Sequence, residues 1–229
     1  MNKKHFLKAV LLFVLAILFY FSPSYAQRTG CSKEEFIRRR AALMEKTGDG
    51  LIILFGEAMP LPGTHFHQDN DFYYLTGVED QGAALILAPR TKDSCLFLPQ
   101  QTPREELMGG ANLLKDAKAK EKTGFTEIYQ VGYFDEYIGR NLARAGMTLH
   151  VRLSPADTID NDRDETLIFT ARKARLHYND QISLDNHRIL KLKERFPAAA
   201  FKDIASRIDA MRVIKSPEEI EVLKRNGRL

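Results

Sequence analysis

The chain has 229 residues, of which 44% are hydrophobic and 28% are charged, and it carries 34 basic and 30 acidic residues for a formal net charge of +4. This length and composition suit one large or two small globular domains with real cores, and they exclude a disordered or fibrous protein.

The first 26 residues are predicted to be a secretory signal peptide. Lys3, Lys4 and Lys8 form a positive start, an apolar run of 13 residues extends from Ala9 to Phe21, and small residues around Ala26 supply a cleavage point. The run is shorter than the roughly 18 to 20 residues that a spanning helix needs. We therefore expect an exported protein, periplasmic or secreted, with no membrane attachment after cleavage, and an uncleaved anchor is the alternative.

Cleavage would remove three lysines and no acidic residue, which leaves a net charge of +1. Electrostatics then give no reason to expect nucleic-acid binding. Because export leads to an oxidising compartment, a disulfide between Cys31 and Cys95 is an open alternative. The favoured interpretation of Cys95 is a small buried residue on a strand.

Capping residues and apolar spacing predict one helix and three strands in the first half of the mature chain. Ser32 is suited to cap a helix that extends to Lys46, and the run Arg38-Arg39-Arg40 is predicted to be a solvated face of that helix. The predicted strands are apolar throughout, so helices should cover both faces of their sheet. They are LIILFG at residues 51–56, Ala83 to Leu87, and Cys95 to Leu98.

Helical and extended segments alternate in the second half, which indicates an α/β fold. Helices are predicted at Pro103 to Met108, Asn112 to Lys122, Phe134 to Ala145 and Asp185 to Phe196, and strands at Glu127 to Val131 and Thr148 to Leu153. Residues 154–164 read as a polar loop. The helix predicted at Asp185 to Phe196 is expected to face the core with four side chains, namely Ile189, Leu190, Leu192 and Phe196.

The segment HFHQDNDFYYLTG, from His65 to Gly77, has two interpretations. Histidines and aspartates at every second position, His65, His67, Asp69 and Asp71, would lie on one side of an extended chain and could bind a metal. The aromatic residues that follow lie on both faces of such a chain, which favours the polar beginning of a buried strand. We favour the strand.

No motif predicts an active site. The patterns G-x-S-x-G, H-E-x-x-H, G-x-G-x-x-G and C-x-x-C are absent from the sequence, and the remaining histidines are dispersed. His150, His177 and His187 are interpreted as surface or hydrogen-bonded side chains. We predict neither catalytic residues nor metal ligands in this chain.

Near the end of the chain, Ser216-Pro217-Glu218-Glu219 combines an N-cap, a proline at the first helical position and a glutamate that can reach back to the cap. A helix should begin at Pro217, with Ile220 and Leu223 on an apolar stripe. A helix of about three turns is marginal unless the stripe packs against something. We interpret it as the first helix of a further domain, and a helix folded back on its own domain is the alternative.

Four stretches in the right order resemble Xaa-Pro aminopeptidases (aminopeptidase P, in the creatinase/aminopeptidase superfamily). Met211 to Ile220, followed by Val222 to Arg225, resembles the junction between the two domains of these enzymes. Glu35 to Arg40 with Leu43, Gln68 to Gly77, and Asp203 to Met211 are similar to the opening helix, a strand of the N-terminal domain, and the approach to the junction.

The resemblance implies an α/β fold, a mixed sheet flanked by helices like the N-terminal domain of aminopeptidase P, at residues 27–203. Residues 204–229 would be the junction and the first helix of a pita-bread catalytic domain. The family's catalytic domain holds a dinuclear metal centre, usually manganese, and we carry none of its ligands over to this chain. The chain itself is expected to bind no cofactor.

The resemblance also implies a homo-oligomer in which the N-terminal domain covers the approach to a catalytic site. The substrate-access candidates are Leu107, Met108 and Gly109, where the family commonly has a tryptophan followed closely by glycine. This chain contains no tryptophan, so an aromatic wall is not carried over. His67 stands where the family often has arginine, and a role for that arginine is not carried over either.

The leading hypothesis is therefore the N-terminal part of an exported Xaa-Pro aminopeptidase, an enzyme that removes an N-terminal residue preceding proline. The catalytic half would lie outside these residues, and this chain alone would be inactive. The alternatives are a stand-alone exported binding or assembly module, or the N-terminal domain of a prolidase or creatinase.

Because His65 and His67 are not interpreted as a preformed site, manganese or zinc should leave the melting temperature of the purified protein unchanged. A thermal melt with increasing metal measures this. A saturable rise that disappears when His65→Ala and His67→Ala are combined would show that the two histidines bind metal.

Overall fold

The computed structural model describes residues 30–58, 65–153, 163–173, 175 and 183–228, and Cys31 to Leu229 form one compact unit. The helices are α1 (Lys33–Thr47), α2 (Asn70–Thr76), α3 (Pro103–Gly109), α4 (Ala119–Thr123), α5 (Phe134–Asn141), α6 (Arg163–Lys173), α7 (Leu184–Arg195), α8 (Ala205–Val213) and α9 (Pro217–Asn226). The strands are β1 (Leu51–Phe55), β2 (Ala84–Ala88), β3 (Asp93–Leu98), β4 (Glu127–Gln130), β5 (Thr148–Val151) and β6 (Ala200–Asp203). The predicted signal peptide lies outside the described residues.

The six strands form one mixed sheet in the order β4-β3-β2-β1-β5-β6. The central strands β1, β2 and β3 pair antiparallel, with Ile86 opposite both Ile53 and Cys95. The outer pairings, β3 with β4, β1 with β5 and β5 with β6, are parallel. Within the described residues no helix is long and apolar enough to cross a membrane.

Both faces of the sheet are buried, as the apolar strands predicted. Ile53 and Ile86 point into one core, which is covered by α5 and α7. Their neighbours Ile52 and Leu85 point into the other, which is covered by α1, α2 and α8. This alternation follows from the two-residue period of a strand. The α/β sheet flanked by helices is therefore confirmed.

Helix α1 begins as predicted, with the Ser32 hydroxyl accepting a hydrogen bond from the Glu35 amide. The prediction of a solvated Arg38-Arg39-Arg40 face is wrong for two of the three arginines. Arg39 and Arg40 are buried, and only Arg38 is exposed. Arg40 donates at 3.0–3.1 Å to three carbonyl oxygens, those of Leu75, Thr123 and Gly124. Burial lowers the pKa of Arg40 to about 10, so the side chain stays charged at neutral pH.

The strand predicted within the segment from His65 to Gly77 is wrong, because residues 70–76 form helix α2. The Asp69 carboxylate accepts from the Phe72 amide and caps the first turn. Gly77 ends the helix in a left-handed conformation, at φ 65°. The buried residues fall at the spacing of one helical face, and they are Asp71, Phe72, Leu75 and Thr76.

Most elements of the second half are confirmed to within a few residues. The predicted helix from Asn112 to Lys122 is instead a 3₁₀ turn at Leu113–Lys115 followed by the short α4. Helix α5 stops at Asn141, before the predicted end at Ala145. Leu190 was expected to face inward but is exposed, whereas Ile189 and Leu192 are buried. The polar segment 154–164 lies outside the described residues except for the first two residues of α6.

Both cysteines are free thiols, so the alternative of a Cys31–Cys95 disulfide is not formed. Cys95 is buried on β3, as predicted, and its thiol donates to the Tyr137 hydroxyl at 3.4 Å. Burial raises the pKa of Cys95 to about 11. The Cys95 thiol therefore acts as a small core residue and not as a nucleophile.

Candidate functional site

The segment before α2 is held in place by Gln68, which is almost completely buried. Its amide oxygen accepts from the backbone amides of Glu57 and Asp69, and its amide nitrogen donates to the carbonyls of Val78 and Asp80. One side chain thus joins the end of β1 to both sides of α2. This role depends on contacts up to 12 residues away, which a local pattern does not indicate.

The Asp71 carboxylate is completely buried and contacts three guanidinium groups. Arg212 donates to Oδ1 at 2.7 Å, and Arg152 and Arg163 each donate to Oδ2 at 3.1 Å. These arginines come from α8, the residue after β5, and α6. Asp71 therefore joins α2 to three other parts of the chain.

The same arginines contact further carboxylates, which extends the cluster. Arg152 also contacts Asp69 and Asp185 at 2.8 Å, and Arg163 contacts Asp209 at 2.8 Å. We call this group the Asp71 cluster. It comprises Asp69, Asp71, Arg152, Arg163, Asp185, Asp209 and Arg212.

Charge compensation keeps Asp71 ionised. Burial opposes its charge, but Arg152, Arg163 and Arg212 together hold the pKa of Asp71 below its ordinary value. Burial likewise opposes the charge of Arg152, yet its aspartate partners raise the pKa of that guanidinium. The cluster is thus an internally paired, structural ion network.

The structure does not bring the four proposed metal-binding side chains together. His65 and His67 are exposed, while Asp69 and Asp71 contact arginines. Among the residues that the structure describes, no three His, Cys, Asp or Glu side chains are grouped so as to hold a metal ion.

His150 is buried, so its interpretation as a surface or hydrogen-bonded side chain is wrong. It lies on β5, and its Nε2 is 3.7 Å from Asp49 Oδ1, beyond hydrogen-bonding distance. Burial, aided by the charge of Arg207, lowers the pKa of His150. His187 is exposed, and His177 lies outside the described residues.

The substrate-access candidates Leu107, Met108 and Gly109 are the last three residues of α3. A reciprocal capping box between Thr102 and Glu105 fixes the start of this helix. Leu107 and Met108 are 87% and 79% exposed, and the space beside the Gly109 Cα is open. This helix therefore presents two large apolar side chains to solvent.

A second exposed apolar surface lies where α8 leads into α9. Its members are between 41% and 81% exposed, and we call them the junction surface: Val213, Ile214, Ile220 and Leu223. Helix α9 begins as predicted, with the Ser216 hydroxyl and the Glu219 carboxylate forming a capping box around Pro217. Arg212 joins this surface to the Asp71 cluster.

A family model described as the N-terminal domain of aminopeptidase P matches residues 36–150, about half of the chain. The chain belongs to this family. This aminopeptidase P N-terminal domain is 27% identical over 208 residues to the Xaa-Pro aminopeptidase of Escherichia coli (strain K12). The match covers 86% of this chain and 42% of the relative. It is 28% identical over 171 residues to human Xaa-Pro aminopeptidase 3, covering 72% of this chain and 29% of the relative.

Solved structures agree with the family. The low-pH form of aminopeptidase P from E. coli matches with a TM-score of 0.58 and 25% identity, over 86% of this chain and 42% of that chain. This N-terminal domain thus spans less than half the length of the relatives that it matches.

Replacing Asp71 with asparagine should lower the free energy of unfolding by about 3 kcal/mol at pH 7, because buried guanidinium groups lose their counter-charge. The folded pKa of Asp71 is depressed, so its contribution is present above pH about 4 and is lost as the pH falls through the folded value. The difference between wild type and Asp71→Asn should therefore shrink in acid. Denaturant unfolding at several pH values measures it.

Asp135→Asn is the matched control, since Asp135 forms an exposed pair with Arg195. It should change the free energy of unfolding by less than about 1 kcal/mol. Equal losses for the two variants would contradict a special role for Asp71.

Proposed function

We propose that this chain is the N-terminal, assembly and substrate-access part of an exported Xaa-Pro aminopeptidase. The match of residues 36–150 to the N-terminal domain of aminopeptidase P carries this proposal. Curated relatives with this domain are named Xaa-Pro aminopeptidases. The parent enzyme would release an N-terminal residue from a peptide with proline in second position.

The junction surface supports a catalytic partner domain. Val213 and Ile214 are exposed by more than two-thirds, and α9 presents Ile220 and Leu223 beside them. Removing such a group of apolar side chains from water favours association with another folded unit. In this proposal the partner is the catalytic domain of the parent enzyme.

Helix α3 supports the role in substrate access. Leu107 and Met108 present a flexible apolar surface, and methionine adapts to ligands of different shape. In a homo-oligomer these side chains would lie beside the approach to a catalytic site and contact the apolar parts of a peptide. The chain can turn directly after Leu107 and Met108, because Gly109 and Gly110 follow them. Gly110 has a φ of 82°, which glycine adopts readily.

The dinuclear metal centre, with manganese as the proposed metal, belongs to the catalytic domain in this proposal. The described residues do not fit such a centre, because no three potential ligands are grouped among them. The proposal therefore gives this chain no chemical step. Its contribution is to position and cover the site at which a metal-activated water would attack the peptide bond.

Export is part of the proposal and is supported by the leader-like residues 1–26. Their three lysines, apolar run and small residues near Ala26 are typical of a signal peptide. We expect the mature protein in the periplasm or outside the cell.

The purified chain should release no amino acid from an X-Pro peptide in the presence of manganese. The same chain continued by the coding sequence that follows Leu229 should release it, because that sequence is expected to supply the metal ligands. Chromatography of the products measures both. Activity of the 229-residue chain that survives repeated purification would contradict the proposal, and an inactive continued chain would favour an assembly module.

A further inference from the structure

Helix α9 has ten residues, and none of its side chains belongs to either of the two cores. No residue of this helix is buried, and Ile220 and Leu223 are exposed. A free helix of this length is marginal in water even with favourable capping. Its position must therefore depend on other contacts.

Those contacts are polar and lie in the first turn of α9. Glu218 accepts two hydrogen bonds from Ser32, one from the backbone amide to Oε2 at 2.6 Å and one from the hydroxyl to Oε1 at 2.8 Å. The Ser32 hydroxyl also accepts from the Glu35 amide at 3.2 Å. One serine thus caps α1 and binds the start of α9, 186 residues later in the chain.

Arg39 provides the second contact between the two helices. Its buried guanidinium lies 3.4 Å from the Glu219 carboxylate. The same guanidinium is fixed by the Tyr74 carbonyl at 3.0 Å and by the Tyr74 ring, with 4.2 Å to the ring centroid. Arg39 Nε also donates to the Glu35 carboxylate of α1 at 2.9 Å. Contacts with α1 and α2 therefore fix the guanidinium that faces Glu219 of α9.

We propose that Ser32, Arg39, Glu218 and Glu219 form a polar latch that fixes the first turn of α9 on α1. The latch sets the direction in which Ile220 and Leu223 point. The latch rests on the proposed function in one respect, namely that the domain following α9 is the catalytic domain. Arg39 is the positioning residue of the latch, because α1 and α2 fix its guanidinium and its partner Glu219 belongs to α9.

Both oxygens of Glu218 are used in the latch, and charge-assisted hydrogen bonds are among the stronger ones. Glu218→Ala should therefore raise the hydrogen-exchange rate of the α9 amides by about tenfold. Amides of β1, β2 and β3 should exchange at the wild-type rate, because Ser32 keeps its cap on α1. Hydrogen exchange of the whole chain, resolved by peptide mass spectrometry, measures both.

Glu221→Ala is the matched control on the same helix, since Glu221 is exposed and pairs with Lys224 of α9 itself. It should leave α9 protection within about threefold of wild type, as expected for a surface pair. Equal effects of the two variants, or wild-type protection of α9 in Glu218→Ala, would overturn the latch. Exchange in this chain needs no catalysis, so the latch and the proposed activity can fail separately.

Discussion

A carboxylate removed from water must be paired, and the fold meets this requirement at Asp71. Three arginines converge on its two oxygens. Removing a single partner from such a group leaves an uncompensated charge in a site that water does not reach. The positions of α6, α8 and the end of β5 are thus tied to the short helix α2. Arg212 extends that tie to the junction surface, whose four exposed apolar side chains lie in α8, in α9 and between them.

The junction is held from two sides by polar contacts. The Asp71 cluster fixes the end of α8 through Arg212, and the Tyr74 hydroxyl donates to the Met211 carbonyl at 3.1 Å. The polar latch fixes the beginning of α9. Hydrogen bonds and ion pairs are directional, whereas apolar contacts are not. If this domain orients a catalytic partner, as proposed, the exposed junction surface is available to that partner and its position on the domain is defined.

Local patterns predicted what depends on neighbouring residues. These features are the Ser32 cap of α1, the Ser216 cap of α9 and the apolar strands. Each rests on residues within a few positions of one another. Helix α2 was missed for a physical reason. Its aromatic residues occupy more than one helical face, since Phe72 is buried while Tyr73 and Tyr74 are half-buried, and this imitates a strand covered on both sides. Asp69 as an N-cap and Gly77 as an end signal would have indicated the helix.

The ion network was beyond local patterns because its members are far apart in the chain. Asp71 and Arg212 are separated by 141 positions, and nothing near either residue indicates the other. A run of three arginines is usually solvated, so the local pattern predicts solvent exposure for Arg39 and Arg40. Their burial depends on carbonyl groups and rings that only the folded chain provides. The junction surface was predicted in part, through Ile220 and Leu223.

The central claim is that Asp71 and Arg212 join the folded domain to its junction. A double-mutant cycle with Asp71→Asn, Arg212→Gln and the combined variant, followed by denaturant unfolding at pH 7, tests it most directly. The account predicts that the two losses of unfolding free energy overlap, with a coupling of at least about 1 kcal/mol. Losses that add to within about 0.3 kcal/mol would contradict it.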